Sequence, residues 1–298
     1  MTLADKRQAR SLPALILLLL VALVWGATFT LTKSALARTT AESFLFLRFA
    51  LATIAMSPVV YFANVPGKRL PKKNEVLSGG LLGILMWAGY ELQTVGLRSI
   101  SASLSGLLTG LSVVMVPYIS HFFHRRVRTN AVVATFLALV GTALISGFGK
   151  VNFGVGAWLT IGCAISFALQ ISVTDVVISK CDSVRLVVVE LGVVSVLSLF
   201  SQAVSTRASL VGLVSQLADV RYPIVFASLL FNSLVATTFA FLAQAYAQRR
   251  LPPTEVGVVL ALEPGFAVLI ATFLGAPITL PEALGGVLIV AGVAWAAT

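Results

Sequence analysis

The chain has 298 residues, of which 58% are hydrophobic and only 11% charged, and its mean hydropathy is +0.99. A soluble domain carries roughly 25% charged residues, so water is excluded as the main solvent of the folded surface. The formal net charge is +10, but the cations sit in the gaps between apolar runs and no basic patch is interleaved with exposed aromatics, which excludes nucleic acid as a partner.

A helix needs about 20 apolar residues to cross a hydrocarbon core about 30 Å thick. Runs of that length recur at residues 12–34, 41–63, 76–97, 100–122, 129–148, 153–176, 184–205, 222–246, 254–275 and 280–297, which predicts an all-α polytopic membrane protein with ten transmembrane helices. Residues 1–24 imitate a secretory signal, with Lys6, Arg7 and Arg10 ahead of an apolar stretch. That stretch continues through Trp25, Gly26 and Phe29 to about Leu36, too long for a cleaved signal, so the first span acts as its own insertion signal. Pro66, Gly67 and Pro71 break the second connection, Gly147 and Gly149 the fifth, Pro252 and Pro253 the eighth, and Pro277 with Pro281 the ninth.

Cytoplasmic loops carry the excess of Lys and Arg. With the N-terminus in the cytoplasm, that side receives Lys6, Arg7 and Arg10, then Lys68, Arg69, Lys72 and Lys73, then Arg125, Arg126 and Arg128, then Lys180, Arg185, Arg249 and Arg250. The opposite side receives Lys33, Arg38, Arg98, Lys150, Arg207 and Arg221, and Arg48 lies inside the second span. Both termini are therefore expected in the cytoplasm. Cys163 and Cys181 are two isolated thiols, too few for a disulfide framework or a metal site, and they read as structural.

Sliding the chain along itself by 151 residues lays the fourth and fifth spans on the ninth and tenth without a gap. Gly106 meets Gly257, Leu111 meets Leu262, Ile119 meets Ile270, Phe122 meets Phe273, Leu137 meets Leu288, Gly141 meets Gly292 and Ala143 meets Ala294. Five helices per half is an odd number, so the second copy enters from the opposite side. Residues 1–149 and 150–298 are then two inverted repeats, an arrangement that places a substrate site at mid-depth between the halves.

The stretch Thr109-Gly-Leu-Ser-Val-Val-Met-Val-Pro117, preceded by Gly96-Leu97 and Ser101-Ala102-Ser103, resembles the first EamA repeat of the drug/metabolite transporter superfamily. Leu262-Glu263-Pro264, followed by Gly275, resembles the second, and Trp25-Gly26-Ala27-Thr28-Phe29 is similar to the family's first-helix motif. The resemblance covers essentially the whole chain. It implies a ten-helix transporter with cytoplasmic termini and a central cavity lined by spans 1, 3, 4, 6, 8 and 9, in a superfamily that includes YddG-type amino-acid exporters, sugar-nucleotide carriers and plastid phosphate translocators. The acidic residue that many members carry just after spans 4 and 9 is absent, since Arg125 and Ala276 stand there, and Pro117 sits one turn later than the proline matching Pro264. The two halves are thus expected to kink at different depths.

Polar residues at helical spacing in a membrane mark the wall of a path. In the third span Trp87, Tyr90, Glu91, Thr94 and Arg98 form one face with Gln93 at its edge; Trp87 and Tyr90 fall too near mid-span for an interfacial belt and are candidates for the cavity. The sixth span offers Ser166, Gln170 and Thr174 on one line beside Phe167, where Gln170 either lines the cavity or makes a helix-to-helix hydrogen bond worth about 1 kcal/mol. Trp158, nearer the outer end of that span, either closes the cavity or anchors the helix at the interface. Asn232 and Gln244 are cavity or gate candidates in the eighth span, whereas the small residues of the fourth, Ser101, Ser105, Gly106, Thr109, Gly110 and Ser112, read as a packing seam.

Arg48, Asp175, Glu190 and Glu263 are ionisable residues in or near the spans, and Arg48 calls for a partner on another helix. Pro264 removes a backbone donor beside Glu263, so that pair is either a proton-sensitive gate, or a partner for a substrate ammonium, or a structural carboxyl beside a helix break; Pro117 is the matching gate candidate in the first half. His121 and His124 lack a third ligand spaced for zinc, so no metal and no cofactor is expected. No phosphate-binding loop, nucleophile elbow or spaced carboxylate pair argues for an enzyme.

The resulting expectation is a secondary carrier that exports small amphipathic metabolites, amino acids foremost, across a bacterial inner membrane as a monomer without an obligate protein partner. Trp25, Trp87, Tyr90 and Phe167 would pack the apolar part of the solute while Gln93 and Gln170 meet its polar end. The rivals are a broad-specificity drug exporter, a membrane scaffold whose polar stripes meet without a void, and an intramembrane lipid-modifying enzyme with its carboxyls clustered at one depth.

Overall fold

The computed structural model describes residues 3–62, 70–123, 129–145, 154–207, 214, 217–273 and 278–296. Pro66, Gly67, Lys68, Arg69, His124, Arg125, Arg126, Arg128, Gly147, Gly149, Lys150, Ala276 and Pro277, together with the side chains of Lys6, Arg7, Arg10 and Ala294, lie outside the described residues.

Apart from turns, the described chain is helical. Helices α1 (Leu3–Ala35), α2 (Ala41–Phe62), α3 (Lys73–Leu97), α4 (Ala102–Phe122) and α5 (Thr129–Ile145) form the first half. In the second half α6 (Val155–Val177) and α7 (Ser183–Ser205) lead through a 3-10 turn at Ala218–Arg221 into the eighth span. That span is one apolar run in the sequence but comprises α8 (Pro223–Leu230), a π-helical stretch (Phe231–Phe239) and α9 (Ala240–Gln248). The ninth span is α10 (Pro253–Leu260) and α11 (Glu263–Phe273), and the tenth is α12 (Leu280–Ala296).

Among the described residues seven of the spans are long and apolar enough to cross a bilayer by length and composition, and Val132–Ile145 and Leu280–Gly292 are shorter apolar helices. The third span falls outside both groups because Glu91, Gln93 and five glycines dilute α3. The molecule is polar within and apolar without: Gln170, Gln202, Asn232, Gln244 and Gln248 are at most 4% exposed, whereas Phe136, Val196 and Phe200 are at least 65% exposed. Only lipid accommodates such a surface, so this is a multi-pass membrane protein.

Without a hydrophobic drive between helices in lipid, close packing must come from small residues. A Cβ on Gly79 would lie 2.8 Å from the Val189 Cβ, and one on Gly83 would lie 2.7 Å from the Val193 Cβ. Both numbers climb together, so α3 and α7 run parallel. Gly141 would meet the Gly285 carbonyl at 2.5 Å, and Gly292 the Ala134 carbonyl at 2.8 Å, so α5 and α12 run antiparallel. The 151-residue shift carries Gly141 onto Gly292 and Ala134 onto Gly285, which turns one contact into the other. The contact therefore maps onto itself under the register of the repeat, a two-fold relation between α5 and α12.

The π-helical stretch is tied to the first half by side-chain donors. The Trp25 indole donates to the Ala236 carbonyl at 2.8 Å, and the Arg48 Nε donates to Thr237 Oγ1 at 2.8 Å. π-helical turns are rare and occur frequently at functional sites.

Candidate functional site

Between the halves lies a cavity of about 70 Å³. Its walls come from α1, α3 and α4 of one half and α6, α9 and the α10–α11 junction of the other, the six spans that the resemblance names.

An aromatic wall runs along one side. Trp25 of α1 and Phe241 of α9 have ring centroids 5.5 Å apart; Tyr90 of α3 meets Phe241 edge-on at 6.3 Å and Phe167 of α6 at 5.1 Å. Gly89 makes the last contact possible, because a Cβ there would lie 2.5 Å from Phe167 Cε1. Behind Tyr90 the guanidinium of Arg48, 4% exposed, lies 4.5 Å from the ring centroid and donates to the hydroxyl at 3.3 Å. This cross-helix pairing with Tyr90 and Thr237 supplies the partner that Arg48 requires.

The opposite wall is small and polar. Gly106, Thr109, Gly110 and Ser112 of α4 border the space that the packing reading had closed. The Gln93 amide of α3 donates to Thr109 Oγ1 at 2.9 Å, and the Gln170 amide of α6 donates to Glu190 Oε1 of α7 at 2.8 Å. Glu190 is thereby buried behind the wall and does not border the cavity.

The ninth span is interrupted beside the cavity. Leu262 N turns back to the Val259 carbonyl at 3.1 Å, a 3-10 bond, and α11 begins at Glu263 with Pro264 in its first turn. Pro264 has no N–H to give to the Leu260 carbonyl, which ends α10 there. Gly26 explains itself at this junction, since a Cβ on it would lie 2.7 Å from the Glu263 carbonyl oxygen. Glu263 borders the cavity, and its carboxyl lies within electrostatic reach of the Tyr90 hydroxyl and the Cys163 thiol. Among the described residues no Lys, Arg or His borders it, and no group of three or more His, Cys, Asp or Glu is placed to hold a metal ion.

The sequence profile of the EamA-like transporter family matches this chain twice, over residues 12–147 and 154–298. The chain belongs to the EamA-like transporter family. An uncharacterized transporter of Archaeoglobus fulgidus is 28% identical over 266 residues, 89% of this chain and 79% of the relative. The uncharacterized transporter YvbV of Bacillus subtilis is 28% identical over 200 residues, 66% of this chain and 64% of that protein. A solved crystal structure shares the fold at a TM-score of 0.77, with 17% identity and 95% of each chain covered.

Within this EamA-like transporter, Trp25, Tyr90, Gln93, Phe167, Gln170, Gln244, Glu263 and Pro264 converge on the cavity. Trp87 does not border it; the ring packs against the cluster that holds Phe49, Met86 and Leu191, and its Nε1 is buried without a hydrogen-bond partner among the described residues. Trp158 is 62% exposed on the outer face of α6 and does not close the cavity. Asn232 turns its amide to the Ser228 carbonyl of its own helix at 2.8 Å and lies away from the cavity wall. Pro117 is buried within α4, which runs on through it as a continuous helix and does not break as the ninth span does. Thr28, Ile171 and Phe241 also border the cavity. Ile171 follows Phe167 by four residues and Phe241 precedes Gln244 by three, so helical spacing from a candidate already chosen is the signal that could have found these two.

Proposed function

We propose that this transporter is a secondary carrier that exports small amphipathic metabolites, neutral amino acids with aromatic or other apolar side chains foremost, by alternating access across a bacterial inner membrane. The observation that carries the reading is a cavity with an aromatic wall facing an amide-rich one, built jointly by both halves. Rings of this kind pack an apolar side chain, and amides and hydroxyls replace the water lost by a polar end. With no cation among the described residues of the wall, sugar phosphates and other multiply anionic solutes have no matching group there.

The size of the cavity argues for rocking. A volume of 70 Å³ holds roughly two waters, so a solute of amino-acid size enters only when the halves part. Residues 1–149 and 150–298 are the two rocking bodies in this reading, and the chain works as a monomer. The excess of Lys and Arg on one side supports cytoplasmic termini.

Uptake of labelled phenylalanine, threonine, a hexose phosphate and a cationic dye into liposomes carrying the purified protein, with and without a pH gradient, tests this. Saturable amino-acid uptake without hexose-phosphate uptake is expected. Uptake of the dye alone would replace the reading with a drug exporter.

A further inference from the structure

The three glutamines on the cavity wall commit their amide nitrogens to the protein. Gln93 donates to Thr109 Oγ1 at 2.9 Å, Gln170 to Glu190 Oε1 at 2.8 Å and Gln244 to Gln248 Oε1 at 3.4 Å. For the last pair the direction is forced. Gln248 Nε2 donates to the Ile171 carbonyl at 3.1 Å, and a carbonyl can only accept. Gln248 must therefore present its oxygen to Gln244, which must answer with its nitrogen. Gln244 is 2% exposed, and its Oε1 is buried without a hydrogen-bond partner among the described residues. A buried acceptor left unmatched is unfavourable and asks for a donor from outside the wall.

The other donors point the same way. The Trp25 indole is taken by the Ala236 carbonyl and the Thr28 hydroxyl by the Trp25 carbonyl. Arg48 stands behind Tyr90, off the wall, and among the described residues Glu263 is the one acidic residue that borders the space. The glutamines of the polar side thus turn oxygen lone pairs to the space, with the Glu263 carboxyl and the Tyr90, Thr109 and Ser112 hydroxyls, which can donate or accept, around them, beside an aromatic wall that suits a cation or an apolar body.

We infer that the cavity recognises a primary ammonium group on an aromatic or aliphatic body, through the Glu263 carboxyl and the glutamine oxygens, and does not require a carboxylate on the same molecule. Gln248 is a positioning residue, since it fixes which end of the Gln244 amide is left over. The inference rests on the transport reading above and sharpens it: an amino acid is held by its amine.

Binding of 2-phenylethylamine, phenylalanine and 3-phenylpropionate to the purified full-length protein in nanodiscs, set beside their uptake into liposomes, tests it. The amine is expected to bind at least as tightly as phenylalanine, and the carboxylate about tenfold or more weakly, the usual worth of a charge-assisted hydrogen bond. Glu263→Gln should weaken the amine by about tenfold and uncharged 3-phenylpropanol by distinctly less. Gln248→Met, off the cavity wall, should narrow the preference for amine over carboxylate by letting the Gln244 amide turn. Equal or tighter binding of 3-phenylpropionate, no binding of any of the three, or an amine preference untouched by both substitutions would overturn the inference. If the amine and phenylalanine bind with that preference yet neither is carried into liposomes, the transport reading fails and this one stands; if amines and carboxylates are carried alike, this one fails alone.

Discussion

Gln170 donates its amide to the Glu190 carboxyl at 2.8 Å, with the two side chains 4% and 3% exposed. Each answers the question that the other poses: a glutamine in mid-membrane needs an acceptor, and a carboxyl there needs a donor. Removing one partner leaves the other buried and unmatched, which costs about 1–3 kcal/mol, whereas removing both is close to neutral. Gln170→Leu and Glu190→Leu should therefore each lower the thermal midpoint in detergent, while the double substitution should be no worse than the more damaging single one. Strict additivity of the two effects would show that the pair is uncoupled.

Arg48 is a buried cation held by Thr237 and Tyr90 and stacked on the rings of Phe49 and Tyr90. Tyr90→Phe keeps the ring and deletes the hydroxyl, so it should cost about 1–3 kcal/mol of stability with modest change in solute binding. Arg48→Met should be milder than Arg48→Lys. Lysine keeps the charge without the planar fork that reaches both partners, and an uncompensated buried charge is worse than none. Thermal midpoints of the three variants give the order directly.

Much of the architecture could be read from spacing. The ten runs, their odd number per half and the 151-residue register lead to the inverted pair, and helical periodicity gathers Tyr90, Gln93, Phe167 and Gln170 on faces that do meet. What spacing cannot supply is which way a face turns once neighbours compete for it. Trp87 and Tyr90 lie three residues apart on one stripe, yet Gly89 pulls the Phe167 ring toward Tyr90, while Trp87 is left against an apolar cluster. Asn232 looked like a cavity donor because polarity in lipid is unfavourable, but an amide can also satisfy itself on its own backbone one turn away. The π-helical stretch Phe231–Phe239 carries no proline or glycine to announce it.

The same close approach makes Gly89 a position where function and stability separate. A Cβ there meets the far edge of the Phe167 ring, which can rotate, so Gly89→Ala should change the thermal midpoint little. The displaced ring has the cavity to move into. Uptake should fall substantially for aromatic solutes and less for threonine, a difference that labelled-substrate competition in liposomes measures.

Glu75 passed unnoticed in the sequence because it stands in a charged connection. Its Oε2 accepts from Lys72 N at 2.6 Å and lies 3.7 Å from Arg185 NH1, and its Oε1 accepts from Asp182 N at 3.1 Å. It therefore caps α3 and ties it to the start of α7 in the other half, while Asp182 Oδ1 caps α7 through Val184 N and Arg185 N at 3.1 Å each. Arg185 is 2% exposed, so losing this carboxylate weakens a buried ion pair as well as a cap. Glu75→Ala should lower the thermal midpoint far more than Asp182→Ala, which removes a cap worth about 1 kcal/mol. Equal effects would reduce Glu75 to an ordinary cap.

Glycines in these helices should respond to alanine in opposite directions according to what each faces. A Cβ added to Gly80 would meet nothing within 4 Å, so Gly80→Ala adds helix propensity and should stabilise by about 0.5–1 kcal/mol. Gly141 faces the Gly285 carbonyl at 2.5 Å and Ile289 Cγ1 at 2.7 Å, where backbone must yield. The same propensity gain is then outweighed by overpacking of about 1–3 kcal/mol, and Gly141→Ala should destabilise. Gly292, which the repeat register pairs with Gly141, meets the Ala134 carbonyl at 2.8 Å and should give the same sign with a smaller size. Thermal midpoints in one detergent order the three variants. If Gly141→Ala and Gly292→Ala both stabilised the protein as Gly80→Ala does, α5 and α12 could not be packed backbone to backbone, and the two-fold relation between the halves would lose its tightest contact.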